Sequence, residues 1–179
     1  SYRFLEEVWE AFMELPQEQI EVAVQSQYMT EQEREEFLKK FEQERAHSLI
    51  GFCVMGGIFS EGIDLTEDKL IGAMIIGTGL PQVCLERELL KYYFDRKNLN
   101  GFDYAYLYPG MNKVLQSAGR VIRTDQDRGV ITLLDDRFMD RQCQEVFPRE
   151  WNDFQICNSE NIEEKIAKFW KAEEQTDMK

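Results

Sequence analysis

Short apolar runs alternating with helix-period segments constrain the fold of this chain more than any other feature. Residues 49–54 and 71–76 are brief and mostly apolar, the pattern of parallel strands covered on both faces. Residues 20–24 alternate and read as a short strand, and residues 130–134, ended by Asp135 and Asp136, read as a further one. Between them lie helical patterns. Phe4, Leu5, Val8, Phe12 and Leu15 follow a helical period that stops at Pro16. Thr30 and Glu33 form a capping-box start for a charged helix reaching about Arg45, with Phe37, Leu38 and Phe41 as its core stripe. A third helix passes through Leu85, Leu89, Leu90 and Tyr93 and ends in the turn Asn98-Leu99-Asn100-Gly101. A last one carries Ile162, Ile166, Phe169 and Trp170 on one face, capped by Asn158 or Ser159. Strands joined by crossover helices imply an α/β fold, a parallel sheet with helices on both faces.

The most informative polar stretch is QSAGRVIR, residues 116–123. At helical spacing Gln116, Arg120 and Arg123 share one face, with Val114, Ala118, Val121 and Ile122 opposite, on a helix expected from about 110 to 123, entered through Tyr108-Pro109-Gly110. Two forked, permanently charged donors side by side suit an anion, above all a phosphate, although a solvated arginine face has the same pattern. A second stretch, residues 55–65 (MGGIFSEGIDL), follows the first apolar run. Gly56 and Gly57 permit a sharp turn off the strand end, and Gly62 allows close backbone approach to a ligand. Ser60, Glu61 and Asp64 add polar groups where open α/β sheets bind ligands, beyond the carboxyl ends of their strands.

Together these stretches resemble motifs V and VI of the DinG/XPD-type superfamily 2 DNA helicases, bacterial DinG-like in kind: GGIFSEGIDL, then QSAGRVIRTDQDRGVITLLDDRF some fifty residues on. The resemblance covers residues 1–158 and concerns the second RecA-like motor domain; residues 159–179 add a C-terminal helix and a frayed tail. Ser1-Tyr2 looks like the end of motif IV, Phe-Pro-Ser-Tyr. The resemblance therefore implies a RecA-like three-layer sandwich whose chain starts inside a motif and lacks its first strand. It also implies roles. Arg120 and Arg123 would be arginine fingers on the γ-phosphate, with Gln116 orienting phosphate or water. Gly62 and Asp64 match positions that contact nucleotide, with Glu61 counted beside them. Ser60, Ser1 and Tyr2 would face single-stranded DNA. Asp127 and Arg128 extend the match and read as a local ion pair or helix-end turn. LPQVCLER, after Gly79, departs from the family's proline-rich run.

No GxxxxGK[ST] loop or DEAH-like run is present. The resemblance assigns those parts, which hold ATP and Mg²⁺, to a first motor domain, this chain's expected partner. The implied whole is a 5′-to-3′ ATP-driven DNA helicase, inactive as this piece alone. A non-catalytic RecA-like docking platform is the alternative.

Composition limits these readings. At 179 residues with 43% hydrophobic content the chain is one globular domain, and no run of 18 apolar residues allows a membrane span. The net charge of −13 opposes free-standing nucleic-acid binding, so DNA contact must come from a local basic patch. Cys53, Cys84, Cys143 and Cys157 form no CxxC pair and read as reduced, mostly buried thiols of a cytoplasmic protein. Family members that carry an iron–sulfur cluster hold it in the other motor half. The single His47 has no partner set, so no metal is assigned.

Overall fold

The computed structural model describes residues 1–16, 18–57, 69–124 and 127–174. Four strands pair as two parallel ladders. β1 (Ile20–Val24) runs beside β2 (Ser48–Phe52), from Ile20 opposite Ser48 to Val24 opposite Phe52. β3 (Gly72–Ile76) runs beside β4 (Val130–Leu134), from Gly72 opposite Val130 to Ile76 opposite Leu134. Parallel strands flanked by helices agree with the expected α/β class. Among the described residues no ladder joins the two pairs into one sheet.

The first pair is a three-layer unit. Helix α1 (Tyr2–Met13) starts on Ser1, whose hydroxyl accepts the Phe4 N–H at 3.3 Å. It puts Phe12 against Phe52, ring centroids 5.4 Å apart. Helix α2 (Glu31–Glu42) covers the other face, where Phe37 packs on Ala23. Gly51 is needed there, because a Cβ would stand 2.6 Å from the Phe41 ring. The capping box forms as expected, with Thr30 and Glu33 exchanging backbone and side-chain bonds. α2 stops at Glu42, short of Arg45. Arg45 folds back to donate to the Lys40 carbonyl at 2.9 Å and pairs with Glu21 on β1, satisfying a helix-end acceptor from outside the helix.

The second pair is covered differently. Ile75 is buried against Leu107, Met111, Val114 and Ala118, joined by Phe138 and Cys143. The opposite face of β3 shows Met74, 71% exposed, and Ile76. The apolar run 71–76 is thus buried on one side, contrary to expectation, because the core cluster reaches it only from the α4 side.

Helix α3 (Leu85–Asp95) leads to a π-helical segment, Asp103–Leu107, that continues into α4 (Tyr108–Ala118). The leucines and Tyr93 that mark α3 in the sequence are exposed. α3 is held by other groups: Phe94 stacks on Tyr104 at 4.1 Å, and the Tyr106 hydroxyl donates to Glu88 at 2.6 Å. The helix containing α4 begins before Pro109 rather than at Gly110. Proline has no N–H for the Ala105 carbonyl, and the Arg87 guanidinium donates to that oxygen instead, at 3.1 Å.

After β4 come two 3₁₀ turns, Asp136–Met139 and Arg149–Trp151, on either side of the short helix α5 (Arg141–Gln144). Helix α6 (Ile162–Glu174) follows a turn in which the Asn158 side chain accepts the N–H groups of Glu160 and Asn161, both at 3.1 Å. Cys53, Cys84 and Cys157 are exposed and only Cys143 is buried. The expectation of mostly buried thiols fails because those three lie in connections outside the strands and helix interiors.

Candidate nucleotide and nucleic-acid face

At the carboxyl end of the first strand pair, β2 leaves its ladder in a tight turn, with Gly57 N–H donating to the Val54 carbonyl at 3.2 Å. Gly56 has φ +76°, the left-handed region that favours glycine. A Cβ there would meet the aliphatic side chain of Lys113 on α4 at 2.8 Å, so the turn lies against that side chain. The expected role of Gly56 in turning the chain holds. Ser60, Glu61, Gly62 and Asp64 lie outside the described residues.

The arginine stretch departs from a single helix. Gln116 is exposed in the last turn of α4, which ends at Ala118 with Gly119 as its cap; the Gly119 N–H donates to Leu115 O at 2.8 Å. The chain then tightens, with Arg120 N–H donating to Ser117 O at 3.3 Å and Val121 N–H to Ala118 O at 3.0 Å. Arg120 and Arg123 therefore follow the helix instead of continuing its face. Glycine's poor helix propensity and the tighter closure explain the break. Ala118 and Val121 are buried as expected, while Ile122 is 41% exposed because the helical register has ended.

Arg120 and Arg123 are each half-buried. The main chain at Arg123 is fixed by Asp127, whose Oδ2 accepts the N–H groups of Arg123 and Thr124, both at 2.8 Å. Asp127 thus shapes the turn that presents Arg123, in line with the helix-end reading. Gly129 lets this loop close on the sheet: a Cβ would stand 2.3 Å from Val121 and 2.8 Å from the Ile71 carbonyl. Arg128 faces elsewhere. Its guanidinium lies 4.3 Å from the Phe169 ring centroid and 5.3 Å from that of Trp170, and it donates to the Phe169 carbonyl, docking α6.

Ser1 caps α1, so its hydroxyl has a structural partner. Tyr2 is half-buried, and its hydroxyl accepts from Nε2 of Gln25 at 2.9 Å. Gln25 was not among the residues expected at the site. Its signal in the sequence is an amide-bearing residue one position past the strand 20–24, at the carboxyl end where open α/β sheets bind ligands.

Arg120, Arg123 and Gln116 lie close together in the chain, within residues 116–123, and forked guanidinium donors are of the kind that bind phosphate. Among the described residues, no group of three or more His, Cys, Asp or Glu is placed to hold a metal ion. No described helix is long and apolar enough to cross a membrane.

A family profile described as "Helicase C-terminal domain" matches residues 1–154. The chain is 32% identical over 136 residues to a regulator of telomere elongation helicase 1 homolog of Caenorhabditis briggsae, covering 70% of this chain and 14% of that protein. It is 36% identical over 88 residues to the ATP-dependent DNA helicase DinG of Photobacterium profundum, covering 48% of this chain and 13% of DinG. Against a probable ATP-dependent helicase of Methanocaldococcus jannaschii the identity is 27% over 128 residues, 66% of this chain and 19% of the relative. The chain thus spans only a small part of the length of the curated relatives it matches.

Proposed function

The chain belongs to the helicase C-terminal domain family, and from that premise we propose that it is the second motor domain of an ATP-dependent DNA helicase that moves 5′ to 3′ along single-stranded DNA. ATP would lie in a cleft between this domain and a first motor domain carrying the phosphate loop. Arg120 and Arg123 would enter from this side as arginine fingers, offsetting the charge that builds on the γ-phosphoryl oxygens. Gln116 would orient the phosphate or the attacking water. Gly62, Asp64 and Glu61 would line the nucleotide, and Ser60, Ser1 and Tyr2 the DNA path. Mg²⁺, when bound, neutralises the phosphates and would be held chiefly by the first motor domain.

The observation that most supports this reading is the main-chain grip of Asp127 on Arg123. A cation serving only solubility needs no fixed backbone, whereas a finger must arrive in a set position. The test is ATP turnover and strand separation by the protein pairing this chain with a first motor domain. Turnover should rise on adding single-stranded DNA, and a duplex with a 5′ single-stranded tail should be opened in preference to one with a 3′ tail. ATP turnover indifferent to DNA, or preference for a 3′ tail, rejects the reading.

A further inference from the structure

Gln25 is 3% exposed, and its side chain joins two segments from different layers of the fold. Its backbone N–H donates to the Phe52 carbonyl at 2.9 Å, carrying the β1–β2 ladder one residue past the strands. Beyond that point the Val54 N–H has left the ladder, and Oε1 of Gln25 accepts it at 2.8 Å. Satisfying that amide needs only the carbonyl end of the side chain. The other end, Nε2, donates to the hydroxyl of Tyr2, 23 residues upstream on α1, at 2.9 Å. The turn also wraps over the same amide, since a Cβ on Gly57 would stand 3.6 Å from Nε2.

The amide's orientation is set from one side only. A peptide N–H can only donate, so Val54 requires the oxygen, while a tyrosine hydroxyl can donate or accept and follows the choice. Tyr2, Gln25 and the Val54–Gly57 turn thus form one chain of contacts. The turn in turn sets Gly56 against the aliphatic side chain of Lys113 on α4, the helix whose end carries Gln116 and leads to Arg120.

We propose that Gln25 is a positioning residue that ties Tyr2 to the Val54–Gly57 turn, so that engagement of single-stranded DNA at Tyr2 is felt along α4 at the arginines. The inference rests on the helicase reading above for the ligands at its two ends. Tyr2 moves, the amide follows, and the turn lying against Lys113 of α4 moves with it.

Two measurements test this. In the 179-residue chain, Tyr2→Phe should speed hydrogen exchange at the Val54 amide, because Gln25 loses the partner that holds its far end. Unchanged exchange at Val54 overturns the link whatever the protein's activity. In the protein that pairs this chain with its first motor domain, the readout is the ratio of ATP turnover with saturating single-stranded DNA to turnover without it. Gln25→Leu should lower that ratio about five- to tenfold, the size of a typical coupling between sites. Tyr2→Phe should lower it in the same direction, and adding it to Gln25→Leu should lower it no further. Gln25→Glu should recover much of the ratio, since a carboxylate accepts from both Val54 and the Tyr2 hydroxyl. A merely structural role lowers both rates together and leaves the ratio at its wild-type value, which overturns the proposal. An unstimulated wild-type protein instead rejects the helicase reading, and this inference with it.

Discussion

Asp127 holds Arg123 by its main chain: one carboxylate oxygen accepts the Arg123 N–H and the next N–H, of Thr124, each at 2.8 Å. Removing that acceptor should loosen the turn before it touches the guanidinium. Asp127→Ala leaves the half-buried Arg123 N–H and the exposed Thr124 N–H without this partner and should cost about 1–2 kcal/mol. Asp127→Asn keeps an acceptor and should retain most of the stability. Thermal melts of the chain separate the two. DNA-stimulated ATP turnover in the two-domain protein should fall more for Ala than for Asn.

Arg120→Ala and Arg123→Ala in the two-domain protein should each reduce ATP turnover by about three to five orders of magnitude, as loss of an arginine finger does elsewhere. Lysine should rescue poorly, because it lacks the planar fork. Both side chains are half-buried, so each Ala variant should also lose about 0.5–2 kcal/mol of stability. Turnover near wild type in either variant removes that arginine from the chemistry. Gln116, exposed at the end of α4, should be milder when changed to Ala.

The 179-residue chain on its own should release no phosphate from ATP, because its sequence carries no phosphate loop. Single-stranded DNA should bind it weakly and with strong salt dependence, at about 100 µM or weaker, since a net charge of −13 repels the phosphate backbone. Tight binding that persists at moderate salt shows a complete site on this domain alone.

Acid should destabilise the fold through two carboxylates. Glu33 is held below the usual carboxylate range by the backbone N–H and hydroxyl of Thr30, and Asp135 by the Arg137 guanidinium and backbone N–H. A lowered folded-state value gives stability that is present above the unfolded value and lost as pH falls through the folded one. Asp103 acts oppositely. Burial, with Glu145 nearby, raises its value, so its protonation relieves a strain as pH falls. Melting temperature should therefore drop on acidification below about pH 4. Glu33→Gln and Asp135→Asn should each flatten that drop, and Asp103→Asn should steepen it.

Glycine contacts give a graded test of the packing around β3. Gly110 on α4 meets the loop after β3 so closely that a Cβ would stand 2.7 Å from the Thr78 carbonyl, and one on Gly79 would stand 2.9 Å from the Gly110 carbonyl. Gly77 has φ +87°, yet its nearest neighbour to a Cβ is Asp135 Oδ2 at 3.9 Å. Gly77→Ala should cost only the backbone strain, about 1–2 kcal/mol. Gly79→Ala and Gly110→Ala force backbone apart, and Gly110→Ala alone should cost about 1–3 kcal/mol. Gly79→Ala carries both penalties, with φ +65°, and should be the most damaging in a thermal melt.

Local signals were legible where they were self-contained. The Thr30–Glu33 capping box, the strands 20–24 and 130–134 and the turn at Asn98 all follow from neighbours within a few residues. The arginine helix misled because its periodicity continues through Gly119, while backbone closure there depends on Val121 packing into the core and on Gly129 closing beneath it. α3 misled for a similar reason: its leucines advertise a core face, and the helix is held by Arg87, Glu88 and Phe94 through partners on a later segment. In the candidate site, Arg120, Arg123 and Gln116 were visible as residue types, and Asp127 as a turn residue. The Tyr2–Gln25–Val54 link was hidden because its partners are distant in sequence.

The π segment before α4 also fixes a direction. Its Tyr108 N–H bonds back to the Asp103 carbonyl, five residues earlier, so one residue is accommodated beyond a regular helical turn. Helical residues advance by about 100° each. An extra residue taken up by regular turns would swing everything downstream by about that angle. The wide turn absorbs it locally, so Met111 and Val114 stay on the core and the chain leaves α4 toward the same side. Deleting one residue within 103–107 should therefore let the helix run regularly with its aim unchanged. Related chains that keep QSAGRVIR can differ by one residue here and still point their arginines the same way, whereas a residue gained or lost in the regular turns of α4 redirects them.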